Sequence, residues 1–220
     1  ARGGFSIINY TGNGVDNRKI GHGLGAKPDF IIWKNRTNSG PYWSVFNSGT
    51  YSGPSAPQIQ YLSLDHSASN DTNVLGTAAQ LTDKYFTVGE YFGTNQDANS
   101  IQAYAWRAIP GYSAFGKYDT NGDADGPFVY LGFRPAFLML KNIGIGGSGY
   151  SWYIYDTTRN PHNPVGYTLA ADQFAQEATN INLDILSNGF KIRDSAGAIN
   201  SNNIQYAAFA ENPFSHSNAR

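Results

Sequence analysis

The chain contains no cysteine among its 220 residues. This excludes disulfides, thiolate metal sites and a cysteine nucleophile, while leaving the compartment open, because secreted and virion proteins also fold without cysteine. Charge is scarce as well: 14% of residues are charged, and 15 Lys and Arg against 16 Asp and Glu leave a net of -1. So balanced a chain lacks the long-range positive field that nucleic acid or an anionic membrane surface needs, and neither is expected as a partner. No apolar run approaches the roughly 20 residues of a membrane span. No charged leader with a following apolar stretch opens the sequence ARGGFSIINY, so a soluble chain without membrane insertion is expected.

What is abundant points to strands. Gly (25), Pro (10) and Asn (22) form turns, while 15 Tyr, 13 Phe and 4 Trp favour pleated, half-buried surfaces. With 40% apolar residues the chain can bury a real core. The local period is two, as in Tyr150-Ser151-Trp152-Tyr153-Ile154-Tyr155, and turn clusters interrupt every run after a few residues. Phe30-Ile31-Ile32-Trp33 and Phe137-Leu138-Met139-Leu140 are continuous apolar runs, as suits strands covered on both faces. No convincing amphipathic helix is found; the nearest exception is Leu169 to Ala178, where Leu169, Phe174 and Ala178 have the spacing for a turn or two.

An internal repeat organises the chain. LGAKPDFIIWKN at 24–35 and LGFRPAFLMLKN at 131–142 share Leu24/Leu131, Gly25/Gly132, Pro28/Pro135, Phe30/Phe137, Lys34/Lys141 and Asn35/Asn142 at one offset of 107 positions, 24 to 131. Other segments align with small shifts: Gly4-Phe5-Ser6 with Gly111-Tyr112-Ser113, Asn13-Gly14 with Asn121-Gly122, Trp43 with Trp152, Phe86 with Phe190, and Ile101-Gln102 with Ile204-Gln205. The expected fold is all-β, a tandem repeat of two antiparallel β-sandwich units of jelly-roll or lectin-like type, spanning 1–110 and 111–214 and ending in a polar tail at 215–220. The units are expected to pack together, with less than about a tenth of the residues in helix. Both members of Phe30/Phe137 and of Trp33/Leu140 are expected to be buried.

Catalytic patterns are thin. His22, His66, His162 and His216 stand apart, with no pair at metal-ligand spacing. His22 between Gly21 and Gly23 reads as a loop histidine bonded to backbone. No GxSxG elbow occurs, although Gly147-Ser148-Gly149 imitates one. Nothing singles out a carboxylate pair for glycoside hydrolysis. No enzyme activity and no cofactor are expected.

Asp119-Thr120-Asn121-Gly122-Asp123-Ala124-Asp125-Gly126 invites a calcium reading. Begun at Asn121, an EF-hand loop would place Gly126 correctly but would put Gly132 where a bidentate Glu is required. A hairpin turn built on Asn-Gly is therefore expected, without metal, its acidic repulsion relieved by solvent or by a cation such as Arg134 or Lys117. Sugar recognition needs a flat apolar platform beside planar hydrogen-bonding groups. Trp152, Tyr153, Tyr155, Asp156, Arg159, Asn160 and His162 supply both kinds and are the candidate glycan-binding residues. A tryptophan matched in both copies, Trp43 and Trp152, also suits a core position, which is the favoured reading of the pair.

GFSIINYTGNG, IGHGLGAKPDFIIWKNR, GDADGPFVYLGFRPAFLMLK, WYIYDTTRNPHNP, LDILSNGFKIR and IQYAAFAENPF occur in that order. This series resembles an uncharacterised β-rich domain of tailed-bacteriophage virion proteins, of the cyanophage and marine-phage type, often found beside concanavalin-A-like lectin domains. The resemblance implies a structural module on the virion surface, in a tail fibre, tailspike or capsid projection. Its implied partners are other virion proteins, further copies of itself in a homo-oligomer, and a host cell-surface glycan. A glycan-binding, lectin-like module is the alternative function, and a polysaccharide-degrading enzyme a more distant one.

Overall fold

The structure, a computed structural model, describes residues 4–51, 57–62, 74–143 and 150–212, with only the backbone for 51 and 57–62. The expected tail at 215–220, His66, His216 and Gly147-Ser148-Gly149 lie outside the described residues. The chain divides into two compact units, Ala1–Ala108 and Ile109–Arg220. Both are all-β and antiparallel, and each carries one four-residue helix.

In unit 1 the elements are β1 (Phe5–Thr11), β2 (Arg18–Gly21), β3 (Phe30–Asn35), β4 (Trp43–Tyr51), β5 (Pro57–Leu62), β6 (Tyr85–Val88), α1 (Phe92–Asn95) and β7 (Ser100–Trp106). A five-stranded sheet runs β1-β7-β3-β4-β5, and β2 pairs with β6 in a second sheet. Alternation along each strand sends one set of side chains inward. Ile31, Trp33, Phe46, Ile101, Ala103 and Ala105 from the large sheet meet Ile20, Phe86 and Val88 from the small one. Trp33 and Phe86 pack edge to face with ring centroids 5.5 Å apart, which joins the two layers.

Unit 2 contains β8 (Ser113–Asp119), β9 (Phe128–Tyr130), β10 (Pro135–Asn142), β11 (Trp152–Asp156), β12 (Leu169–Ala170), β13 (Leu183–Leu186), β14 (Gly189–Ile192), α2 (Gly197–Asn200) and β15 (Asn203–Ala210). Its large sheet runs β8-β15-β10-β11-β12, the same path through the chain as in unit 1, and β13-β14-β9 form the small one. Phe190 of the small sheet sits edge-on to Tyr118 and Tyr206 of the large one at 5.7 and 6.0 Å. Among the described residues the sheets hold five and two strands in unit 1 and five and three in unit 2.

The repeated Lys-Asn at the end of each long apolar run has a structural reason. Asn35 donates its side-chain amide to the Phe92 carbonyl at 2.9 Å, and Asn142 donates to the Gly197 carbonyl at 2.6 Å; each carbonyl belongs to the first residue of a helix. The Tyr10 hydroxyl donates to the Thr94 carbonyl at 2.6 Å, and that of Tyr118 to the Ile199 carbonyl at 2.7 Å. The last helical residues, Asn95 and Asn200, are fully buried. Asn95 donates to the carbonyls of Val15 and Gly89 and accepts from the Asn13 amide. Asn200 donates to the carbonyls of Asp123 and Asp194 and accepts from the Asn121 and Gly122 amides. Burying so polar a side chain is tolerable because its hydrogen bonds are made.

Three expectations need correction. Leu169 to Ala178 holds no helix: Leu169–Ala170 is strand, and Phe174, which a helix would have turned inward, is 96% exposed. The Asn-Gly loops are not hairpins, since β1 and β2, like β8 and β9, belong to different sheets. Gly14 and Gly122, with φ of 65° and 70°, turn the chain across the sandwich, where Asn95 and Asn200 hold the loop. Phe30, Trp33 and Leu140 are buried as expected, but Phe137 is half-buried. Its ring lies against Phe209 with centroids 6.0 Å apart.

Candidate functional site

The expected glycan residues do not form one surface. Within β11, Trp152 and Ile154 face one side of the sheet while Tyr153 and Tyr155 face the other. Trp152 and Tyr155 are 1% and 0% exposed, so neither is available to a ligand. Tyr155 belongs to the unit 2 core and Tyr153 packs against it; burial raises the pKa of both hydroxyls. Arg159 is engaged internally. Its Nε donates to Asp156 at 2.6 Å, its Nη1 to Glu177 at 2.7 Å and its Nη2 to the Ile154 carbonyl at 3.1 Å. Burial alone would raise the Asp156 pKa, but hydrogen bonds from the Arg159 backbone and side chain hold it below the usual range. Asn160 accepts from the Gly166 amide at 2.9 Å, and His162 is exposed. These polar residues pin the 156–166 turn.

The surface with sugar-binding chemistry lies in unit 1, on the outer face of the large sheet. Asn9 of β1 is opposite Gln102 of β7, which is opposite Lys34 of β3. The β3–β4 register, Trp33 opposite Ser44, brings Trp43 beside Lys34 as the fourth member of the row. With Arg36 and Tyr104, these four residues line an open groove of about 420 Å³. Trp43 is 37% exposed, Asn9 and Arg36 are exposed, and Lys34, Gln102 and Tyr104 are half-buried. The Lys34 ammonium lies 5.9 Å from the centre of the Trp43 ring and donates to the Pro41 carbonyl at 2.7 Å. Gln102 donates to the Ile8 carbonyl at 3.1 Å, which fixes the amide plane. Beyond Tyr104 the same face carries Phe5 and Trp106, whose rings are 4.8 Å apart. No carboxylate lines the groove among the described residues.

The corresponding row of unit 2 is Lys117, Gln205, Lys141 and Trp152. Lys117 is exposed, but the other three are at most 1% exposed. Lys141 donates to the Tyr150 carbonyl, as Lys34 does to that of Pro41. Burial lowers its pKa, and the neighbouring Asp172 carboxylate offsets part of that shift. Asp172 is itself raised by burial, against hydrogen bonds that include the Trp152 amide at 3.2 Å.

The row was available to sequence reasoning: Lys34/Lys141, Trp43/Trp152 and Gln102/Gln205 are all repeat matches. The pairing that puts them side by side was not.

Elsewhere the loop histidine behaves as expected: the His22 ring bridges the Thr82 carbonyl and the Leu24 amide at 3.1 Å each. In the acidic loop, Asp125 is paired with Lys191 and Arg193 at 3.0 and 3.1 Å, rather than with Arg134 or Lys117. Arg134 pairs instead with Glu211 at 3.0 Å, beside a second hollow of about 300 Å³ that also includes Gly132 and Ser187.

No curated protein and no solved structure matches the chain. Residues 1–213 match a domain of unknown function, DUF7483, and the chain belongs to that family.

Proposed function

We propose that the chain is a non-catalytic attachment module of a phage virion, built as a tandem repeat of two β-sandwich units, which binds surface glycan through the groove of unit 1. The observation that carries the glycan reading is the row Asn9, Gln102, Lys34 and Trp43, flanked by Tyr104 and Arg36. A half-open indole offers a face for the C–H side of a sugar ring, and amide and cationic groups on either side suit its hydroxyls. The fixed repeat offset and the common strand path support the tandem reading. The virion setting rests on the resemblance of the motif series, and it implies other virion proteins and further copies of the chain as partners. Display in many copies would turn weak single sites into useful avidity.

The test is a glycan array and titration with host surface polysaccharide, comparing the native chain with Trp43→Ala. Binding by the native chain that Trp43→Ala weakens about tenfold, roughly 1.4 kcal/mol, is expected. Binding that Trp43→Ala leaves intact would remove the site from this groove. Shortening of the polysaccharide on incubation would replace attachment by hydrolysis.

A further inference from the structure

Among polysaccharides, the groove of unit 1 favours one chemical class. Two of its six lining side chains, Lys34 and Arg36, are cationic, and none is acidic. Neither cation has an acidic partner among the described residues. Lys34 spends one N–H on the Pro41 carbonyl, and Arg36 reaches only the Ser100 hydroxyl, at 3.5 Å. Two cations held together by a sheet repel one another, and an anion between them relieves that repulsion.

Unit 2 shows what the same arrangement accepts when the chain fills it. Lys141 and Trp152 repeat Lys34 and Trp43, with the lysine again donating to a carbonyl two residues before the tryptophan. There, Asp172 accepts the Trp152 amide at 3.2 Å, and its negative charge offsets part of the burial-driven fall in the Lys141 pKa. Asp172 comes two residues after Ala170, the partner of Tyr153. Two residues after Tyr61, the partner of Ser44, the sequence has Ser63, which carries no carboxylate. The unit that keeps its lysine and tryptophan covered supplies an internal acid; the unit that leaves them open lacks one at the matching place in the sequence.

We infer that the unit 1 groove binds an acidic saccharide, with the sugar ring on Trp43 and its carboxylate between Lys34 and Arg36. Asn9 and Gln102 face the hydroxyls. The inference rests on the glycan reading above and narrows it to uronic-acid polysaccharides. A guanidinium can clamp a carboxylate through two parallel hydrogen bonds, which a neutral sugar cannot offer.

The experiment titrates the whole chain with oligomers of galacturonate, glucuronate and mannuronate, and with the same oligomers after reduction of each carboxyl to a primary alcohol. Reduction keeps the ring and the length and removes only the charge. Binding of at least one uronate oligomer is expected to fall about tenfold or more on reduction, to weaken as salt rises, and to fall by a similar factor in Arg36→Gln. Arg36 is exposed, so that variant should fold as the native chain does, and an unchanged melting temperature verifies this. Equal affinity for reduced and unreduced oligomers overturns the acidic class and leaves the glycan reading standing. Loss of the native interaction in Trp43→Ala but not in Arg36→Gln overturns the acidic class in the same way. If no oligomer, acidic or reduced, binds the native chain, this inference is wrong, and the array with host polysaccharide decides separately whether the glycan reading survives.

Discussion

Lys34 and Lys141 stand in the same row of two sheets with the same strand path, yet the first borders an open groove and the second is 1% exposed. The difference does not originate in the strands. Both lysines anchor to a backbone carbonyl just before β4 or β11, and both neighbour a tryptophan. In unit 2 the turn after β12 brings Asp172 back to the Trp152 amide. Trp43 is 37% exposed and Trp152 1%, so the matched tryptophan lies on an open face in unit 1 and in the core in unit 2. The largest expected effect tests this directly. Trp152→Ala should cost about 3–5 kcal/mol in urea unfolding, the usual penalty for emptying a buried indole. Trp43→Ala should cost less than about 1 kcal/mol, as a partly exposed position does. Equal costs would mean that Trp43 is as structural as Trp152, and the open groove would lose its platform.

The same comparison shows which features could be read from the sequence. The repeated Asn35/Asn142 and Phe86/Phe190 are legible because both units need them for the same contacts, the staple to the helix and the ring between the sheets. Trp43 and Trp152 match just as well in sequence but differ in exposure, 37% against 1%, and nothing in the repeat itself distinguishes them. Trp152 and Tyr155 cannot share a binding surface for a reason that was in view: a period of two puts them on opposite faces of β11. The polar residues after it looked free in sequence, whereas Arg159 is committed to Asp156, Glu177 and the Ile154 carbonyl. The groove needed pairing across four strands, from Asn9 to Trp43, and long-range register is what a sequence with no structural relative reveals last.

A smaller effect separates the units by pH. His22 in unit 1 is 2% exposed, and no other described histidine is buried. Burial lowers its pKa, against a raising contribution from its bond to the Thr82 carbonyl. The Leu24 amide donates to Nδ1, so the ring must be neutral there. A histidine whose folded pKa lies below its unfolded value contributes stability that is fully present above the unfolded value, about 6.5, and is lost as pH falls through the folded pKa. Acid should therefore loosen unit 1, whereas unit 2 has no buried histidine among the described residues. Hydrogen exchange monitored from pH 7 to pH 5, after correction for intrinsic rates, should show protection falling in β2 and β6 before β14. His22→Gln should reduce that difference. Parallel loss in both units, unchanged in the variant, would assign the acid response to other groups.

The smallest expected effect is none at all, and it concerns the loops where the units diverge most in charge. Unit 2 carries Asp119, Asn121, Asp123 and Asp125, where unit 1 has Thr11, Asn13 and Asp16. Four oxygen-bearing side chains so close together are what a calcium site needs, but Asn121, Asp123 and Asp125 have other tasks. Asn121 accepts the Asp123 amide at 3.1 Å, and Asp123 accepts the Asp125 amide at 3.0 Å, which holds the loop through its own backbone. Asp125 lies between Lys191 and Arg193, and its pKa is lowered first by the Lys191 hydrogen bond and then by the two positive charges. A calcium ion would have to displace those ion pairs, and among the described residues no group of three acids or histidines converges to compensate. The melting temperature should therefore be the same with chelator, without it and with added calcium. A rise of several degrees on adding calcium would show that a cation binds the folded loop more tightly than Lys191 and Arg193 hold it, since only a ligand that prefers the folded state can raise the midpoint.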